Sequence, residues 1–385
     1  MTAPVEQAMA TLREARGQPR FFLAIEGTVR FGVGIHRRLE ESGPDRLRTI
    51  ANAARLLPKD AMVLGGFAFD DAHDAAAPWQ AFPSALFVVP ALEWEWRDGE
   101  WVERRNGANA ELPEIEDRPV RDRPDSRAWA TQVGTALQAI SSGFLSKVVL
   151  ARCERRPAID DPLAAFARLV AAEPLAHAFY FEPIPGHAFF GATPERLARL
   201  RHGRLETHAV AGTAPRGTKG TDANLGNKLL VADKESREHR LVVEHIVARL
   251  EALGLTPEQG MRRLRRMANV QHLETQVTAA ASAGLHVLDV AATLHPTPAV
   301  CGTPVDEAKG LIAQLEARPR GWYAGGLGWF NQAGEGEILV ALRSALATPD
   351  GTWLYAGAGI VVGSDANAEY KETEAKLKAL EEALA

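Results

Sequence analysis

The apolar positions of this chain repeat mostly at the spacing of β-strands. Continuous apolar runs and alternating stretches predict strands at 61–70, 84–96, 147–156, 177–184, 187–210, 321–331, 336–347 and 352–362. Within 187–210, His202-Gly203 lies between two alternating runs and predicts a hairpin turn. The pattern therefore predicts antiparallel sheets built largely from hairpins.

Fewer stretches repeat at the helical period. They are 126–141, 161–174, 221–254 and the closing segment that contains 368–376. Asp161-Pro162 is an N-terminal cap signal, and Gly254 is a stop signal. A stretch rich in charge, Pro and Asn-Gly at 97–126 predicts a linker after the N-terminal third. Strands and helices are intermingled along the chain, so we expect an α+β fold with helices packed outside mixed antiparallel sheets.

Composition excludes several classes of protein. The 385 residues are 46% hydrophobic and 24% charged with a formal charge of −5, which predicts a soluble globular protein without a basic surface for nucleic acid or anionic lipid. No apolar stretch reaches 18 residues, so we expect no membrane span, and the first residues do not form a secretion signal. The two cysteines, Cys153 and Cys301, indicate a reducing compartment and a cytoplasmic location.

Two helices carry pairs of glutamates three residues apart. One pair is Glu235 and Glu238, and the other is Glu369 and Glu372, with Lys376 four residues further on. Each set projects from one helix face. A solvated face with Glu-to-Lys pairs is one interpretation, and a Mg²⁺ site that holds an anionic substrate is the other.

The Gly-rich stretch 211–221 has the glycine spacing of a phosphate loop. It is not one, because Thr218-Lys219 reverses the required order of Lys and Ser/Thr. Gly212 and Thr213 can still offer backbone N–H groups and a hydroxyl to a carboxylate, and a plain loop is the alternative.

Five single residues are candidates for chemistry, each with a structural alternative. Lys147 is the first residue of a predicted apolar strand. It either faces solvent at the end of that strand or is desolvated and acts as a base. Glu195 follows a proline at the end of a predicted strand. It is either a turn residue or an acid that takes part in the chemistry. Arg343 interrupts an apolar strand and needs either a ligand carboxylate or a structural acid. His295 lies in a proline-flanked segment, and Tyr323 is a candidate for the core.

A series of eight motifs resembles the chorismate-utilising enzymes, the family of anthranilate synthase component I, aminodeoxychorismate synthase component I, isochorismate synthase and salicylate synthase. In chain order they are SKVVLARC, FFGATPERL, HAVAGTAPRG, KESREHRLVVEHI, LHPTPAVCGTP, RGWYAGGLGW, VALRSA and YAGAGIVVGSDANAEYKETEAKLKAL. The resemblance implies a single domain over 1–385, two stacked antiparallel sheets with helices outside, a more divergent part at 1–120 and a catalytic part at 125–385.

The resemblance also implies a Mg²⁺ site and a substrate site. Glu238 and Glu372 match direct metal ligands, and Glu235 and Glu369 match ligands that act through water. The metal would hold the ring carboxylate of chorismate, beside Lys376 and the Gly212 backbone. The implied substrate-binding residues are Gly212, Thr213, His295, Tyr323, Arg343, Gly357 and Lys376. Of these, Arg343, Tyr323 and Gly357 match the residues that bind the pyruvyl carboxylate in the family.

The position of Lys147 indicates which reaction to expect. In the family a lysine there accompanies water as nucleophile, and Ala211 departs from members with a nucleophilic lysine at that place. The resemblance thus implies reversible conversion of chorismate to isochorismate, with Lys147 as base and Glu195, at a raised pKa, as acid. Salicylate synthase, an amine-transferring member and a non-catalytic chorismate-binding protein are the alternatives. We expect a monomer without a glutaminase subunit that serves menaquinone biosynthesis in preference to siderophore biosynthesis.

Overall fold

The computed structural model describes residues 2–115, 126–218 and 220–385. Within these ranges the helices are α1 (Ala3–Glu14), α2 (Arg46–Ala54), α3 (Ser126–Ser141), α4 (Pro162–Ala172), α5 (Asp222–Val231), α6 (Asp233–Ala252), α7 (Val287–Leu294), α8 (Val305–Leu315) and α9 (Ala366–Leu384). None of these helices combines the length and apolar character that crossing a bilayer requires.

The strands of the first half are β1 (Arg20–Ile25), β2 (Thr28–Val33), β3 (Arg37–Glu41), β4 (Met62–Phe67), β5 (Ala85–Val89), β6 (Leu92–Arg97), β7 (Glu100–Arg105), β8 (Lys147–Arg156), β9 (His177–Ile184) and β10 (His187–Thr193). Those of the second half are β11 (Arg196–Arg201), β12 (Arg204–Pro215), β13 (Glu258–Gln259), β14 (Arg263–Arg266), β15 (Val270–Ala280), β16 (Gly302–Thr303), β17 (Gly326–Asn331), β18 (Gly336–Val340), β19 (Ser344–Thr348) and β20 (Gly351–Ile360).

These strands form two antiparallel sheets of ten strands each. The first has the order β16-β8-β20-β19-β10-β9-β1-β2-β6-β7. The second has the order β13-β15-β12-β11-β18-β17-β4-β5-β3, with β14 paired to β15. Strands from before and after residue 120 occur in both sheets. The predicted α+β class with two stacked antiparallel sheets is confirmed.

The first sheet is buried on both faces. Along β1, Phe21 and Leu23 belong to a core cluster shared with the second sheet, and Phe22 between them belongs to a cluster shared with α1, α4 and α9. This alternation follows from the two-residue period of a strand. It explains why so many strands of this chain are continuous apolar runs.

Several local predictions are confirmed. Helix α3 and strand β8 have the predicted bounds. Helix α4 begins after Asp161, whose side chain accepts a hydrogen bond from the Ala164 N–H at 3.0 Å. His202 and Gly203 form the predicted two-residue turn with φ of 52° and 71°, and Arg201 pairs with Arg204 across it.

Other predictions are wrong at points where the chain changes direction. The strand predicted at 84–96 divides at Pro90, because β5 belongs to the second sheet and β6 to the first. The strand predicted at 336–347 divides before Arg343, whose φ of 48° is incompatible with an extended strand. The helix predicted at 221–254 is interrupted at Ala232, which is extended with ψ of 126°. The predicted linker contains β7, and its residues 116–125 lie outside the described residues.

Candidate active site

A cavity lies where strands of both sheets meet helices α6 and α9. The first sheet contributes β8 and β20, and the second contributes β12 and β15. Nine of the residues selected from the sequence line this cavity: Glu195, Gly212, Thr213, Glu238, Tyr323, Arg343, Gly357, Glu372 and Lys376. Residues that lie far apart in the chain thus converge on one site, because the strands, connections and helices that carry them pack together there.

Lys147 lies directly beside the cavity and not on its wall. It is fully buried at the first position of β8, and its Nζ is 2.9 Å from Oε1 of Glu238, which does line the cavity. Burial opposes ionisation of Glu238, but the ammonium of Lys147, together with the charges of Lys376 and Lys234, outweighs it and holds the pKa of Glu238 below its ordinary value. The solvent-facing alternative for Lys147 is therefore wrong.

The carboxyl group of Glu195 forms no ion pair with any of the described residues. Glu195 lies between β10 and β11 and is 3% exposed, with its N–H directed to Oγ1 of Thr193 at 3.2 Å and its carbonyl accepting from the Val340 N–H at 3.0 Å. Burial raises the pKa of Glu195 to about 8, although the charges of Lys147 and Lys376 lower it in part. This is the direction that a general acid requires.

Arg343 occupies the junction between β18 and β19, where the chain passes from one sheet to the other. Burial lowers the pKa of its guanidinium to about 10. Its Nη2 donates to Nε2 of His272 at 2.7 Å, and within the described residues no carboxylate lies within ion-pair distance of it. Of the two partners that the sequence left open, a ligand carboxylate fits this environment better than a structural acid.

His272 is a cavity residue that the sequence analysis missed. Because its Nε2 accepts from Arg343, the proton lies on Nδ1, which is 3.2 Å from Oγ1 of Thr213. Burial, with the charges of Arg343 and Lys376, holds the pKa of His272 well below its ordinary value. The signal was present in "VQHLET", where a histidine stands between apolar positions of a strand.

His295 does not line the cavity. Its Nε2 is 3.0 Å from the carbonyl oxygen of Phe69, and its ring packs edge-on against Phe67 at a centroid distance of 5.1 Å. Burial lowers the pKa of His295 to about 3. The structure therefore does not place His295 where the sequence analysis expected it, at the substrate site. His295 packs in the core, and His272 on β15 is a histidine that lines the cavity.

Gly212 is needed where β12 approaches α6. Its φ is 77°, and the pairing of β12 with β15 shifts register between Ala211 and Thr213. A Cβ at this position would lie 3.0 Å from Cβ of Glu235, so only glycine permits both the conformation and the close approach. The plain-loop interpretation of 211–221 is wrong for its first half, which is strand, and Lys219 lies outside the described residues.

Tyr323, Gly357 and Lys376 form the opposite wall. Nζ of Lys376 donates to the carbonyl oxygen of Gly357 at 2.8 Å and is 2.7 Å from Oε1 of Glu372. The ring of Tyr323 stacks on Tyr355 with centroids 5.2 Å apart, and burial raises the pKa of its hydroxyl. The wall therefore presents one cation and two phenol rings to a bound molecule.

The predicted metal ligands lie near the first turns of α6 and α9. Their carboxylate oxygens are the donors that Mg²⁺ prefers. In the described part of the chain, however, no three His, Cys, Asp or Glu side chains converge as a metal would require. Each of three carboxylates is instead paired with a different lysine: Glu238 with Lys147 at 2.9 Å, Glu369 with Lys234 at 2.6 Å, and Glu372 with Lys376 at 2.7 Å. The carboxylate groups of these residues are suitable ligands for Mg²⁺. In this structure the lysine ammonium groups balance their negative charge.

The chain is similar to known proteins over most of its length. A family model described as chorismate binding enzyme matches residues 101–385. The chain is 37% identical over 398 residues to the salicylate biosynthesis isochorismate synthase of Pseudomonas aeruginosa, covering 92% of this chain and 82% of that protein. It is 31% identical over 352 residues to the isochorismate synthase MenF of Bacillus subtilis, covering 84% and 74%. Among solved structures, the menaquinone-specific isochorismate synthase MenF from Escherichia coli has a TM-score of 0.83 at 29% identity, covering 98% of this chain and 91% of that chain.

Proposed function

This chain belongs to the family of chorismate-binding enzymes, and we propose that it is an isochorismate synthase. The reaction is the reversible isomerisation of chorismate, in which a hydroxyl group is added at C2 and the C4 hydroxyl is lost. The relatives named above are isochorismate synthases at 37% and 31% identity, which supports this assignment.

The observation that carries the proposal is the pair of titratable groups at one cavity. Lys147 offers an amine, and Glu195 offers a carboxyl group whose pKa of about 8 keeps it mostly protonated at pH 7. The charge of Lys147 acts on Glu195, so the two groups lie close enough to influence each other. Addition of water and loss of hydroxide need a base and an acid in the same site.

The steps balance with these two groups. Lys147 is paired with Glu238 as an ammonium in the substrate-free site, so the cycle begins once it has released that proton to solvent. The neutral amine then accepts a proton from water as the oxygen bonds to C2 of chorismate. The ring double bonds shift, the bond from C4 to its oxygen breaks, and Glu195 donates its proton to the leaving oxygen, which departs as water. The enzyme is left with an ammonium and a carboxylate, which are the forms needed for the reverse reaction. Substrate and product are isomers of similar stability, so we expect a mixture at equilibrium.

The substrate's two carboxylates need cationic partners. We propose that Arg343, with Tyr323 and the Gly357 backbone, holds the pyruvyl carboxylate, and that Lys376 and the Gly212 backbone face the ring carboxylate. Mg²⁺ held by Glu238 and Glu372, with Glu235 and Glu369 acting through water, would supply positive charge for the ring carboxylate. The conformational freedom of Arg343 is limited by its bond to His272, which pre-orients the guanidinium.

The wider setting follows from the same proposal. We expect the protein to act in the cytoplasm as a monomer, without a glutaminase subunit, since water replaces ammonia as nucleophile. We propose that the product, isochorismate, is used for menaquinone biosynthesis. Gel filtration with light scattering would measure the monomer directly, and a dimer mass would contradict it.

Product analysis tests the reaction. The purified protein is incubated with chorismate and Mg²⁺, and isochorismate, salicylate, pyruvate and chorismate are separated by HPLC. We expect isochorismate in a mixture with chorismate, no pyruvate, and loss of turnover with EDTA or in Lys147→Ala. Stoichiometric salicylate and pyruvate would identify a salicylate synthase. Turnover that requires an amine donor would refute water as nucleophile, and complete conversion to isochorismate would refute the reversible mechanism.

A further inference from the structure

Lys234 stands out among the three lysines that pair with the predicted metal ligands. Lys147 and Lys376 each have a place in the proposed reaction, and Lys234 has none. It lies in the first turn of α6, where the helix dipole disfavours a positive charge. Its Nζ nevertheless reaches across to α9 and lies 2.6 Å from Oε1 of Glu369, a carboxylate whose side chain is only 3% exposed.

The charge of Lys234 acts on the whole carboxylate group. Burial opposes its charged form, but the hydrogen bond to Glu369 and the charges of Glu369, Glu238 and Glu372 outweigh burial and raise its pKa. Lys234 is therefore a counter-charge that the three carboxylates share. A divalent cation held by the same glutamates would occupy that position in the charge balance.

We propose that Lys234 is an internal counter-cation, which neutralises the glutamates of α6 and α9 in the metal-free protein and leaves Glu369 when a divalent cation binds. The inference rests on the proposed function, because it concerns the same site. Three lysines already balance three carboxylates, so a divalent cation gains little until one lysine withdraws. Lys234 is the lysine that can withdraw: its side chain is 30% exposed, whereas Lys147 is fully buried and Lys376 is also bound to the carbonyl oxygen of Gly357.

The exchange gives Lys234 two measurable effects. It stabilises the metal-free protein, because it compensates the charge of a buried carboxylate that has no other ion pair among the described residues. It also weakens metal binding, because the metal must compete with it. A lysine that merely joined α6 to α9 would have the first effect without the second.

The experiment measures metal binding directly in Lys234→Met, with Lys371→Met as the matched control. Lys371 is an exposed lysine on α9, so its loss changes the net charge equally. Mn²⁺ is titrated into the metal-free proteins without chorismate, and free Mn²⁺ is followed by electron paramagnetic resonance. We expect Lys234→Met to bind Mn²⁺ about tenfold more tightly than the wild type, the ratio equivalent to one charge-assisted hydrogen bond. Lys371→Met should change the Kd by less than about twofold.

Thermal unfolding supplies the second readout. In EDTA, Lys234→Met should have a lower Tm than the wild type, and saturating Mn²⁺ should raise its Tm by more. Unchanged or weaker Mn²⁺ binding in Lys234→Met would overturn the proposal, as would equal tightening in Lys371→Met. If Lys234→Met does not fold, Lys234→Gln takes its place, and Lys234→Arg, which keeps the charge, should bind Mn²⁺ like the wild type. No chorismate is present, so failure of the proposed isochorismate synthase reaction would leave these outcomes readable.

Discussion

Glu195→Gln should inactivate the protein and stabilise it at alkaline pH. The carboxyl group of Glu195 is 3% exposed and has a pKa of about 8 in the folded protein, against an ordinary value of 4.5. Between these values the folded state binds more protons than the unfolded state, so its stability falls as pH rises. The contribution of Glu195 is fully present below pH 4.5 and is lost as pH rises through about 8.

The magnitude follows from the same two values. A difference between 4.5 and about 8, at 1.36 kcal/mol for each pH unit, corresponds to about 5 kcal/mol of free energy of unfolding. The amide of the Glu195→Gln variant would be neutral at every pH and would not lose this amount. Part of the change lies below pH 5, and relaxation of the site and entry of water reduce the effect further, so we expect the variant to gain about 2–4 kcal/mol over the wild type between pH 5 and pH 9.

Urea unfolding at pH 5 and pH 9, with reversibility checked at both, measures this gain as the change in the difference between variant and wild type. Glu374→Gln is the matched control, because Glu374 is exposed on α9. Turnover of chorismate should fall by about 10²–10⁴-fold in Glu195→Gln, the usual contribution of a general acid. A stability difference that does not change with pH would refute the burial of an acid at this position, and undiminished turnover would refute its role.

Three further substitutions test other residues in or beside the cavity. Lys147→Met should cost at least about 10² in kcat and raise the pKa of Glu238, measured by NMR titration of the carboxyl; an unchanged Glu238 pKa would contradict the ion pair. Arg343→Gln should raise the KM for chorismate by about 10–100-fold with a smaller change in kcat, since it removes a charged partner of a substrate carboxylate; an equal loss in kcat alone would argue against binding. Gly359→Ala places a methyl group against Oε1 of Glu238 and near Cε of Lys147, so we expect weaker Mg²⁺ binding by calorimetry, and unchanged binding would argue against Glu238 as a ligand.

Much of this fold could be predicted from local patterns. The two-residue alternation of apolar positions located most strands, and short-range signals located the cap at Asp161 and the turn at His202-Gly203. These features depend on residues within a few positions of one another, so they can be predicted from short stretches of sequence. The errors at Pro90 and Arg343 share a cause: each apolar run continues through a point where the chain leaves one sheet for the other. Hydrophobicity does not change there, because both sheets are buried.

The site divides in a similar way. Motifs in the chain identified the reactive residue types, and nine of those side chains do share one cavity. Which histidine faces the cavity could not be read from the chain, since His272 and His295 both lie in apolar surroundings and differ only in the direction that their elements take across the fold. The pairing of Glu238 with Lys147 and of Glu369 with Lys234 was equally hidden, because these partners lie on different elements and up to 135 positions apart, whereas Glu372 and Lys376 are four positions apart on α9. Local sequence governs the kind of element and the chemistry it carries, whereas contacts between distant elements set the burial, and burial sets the charge of each group.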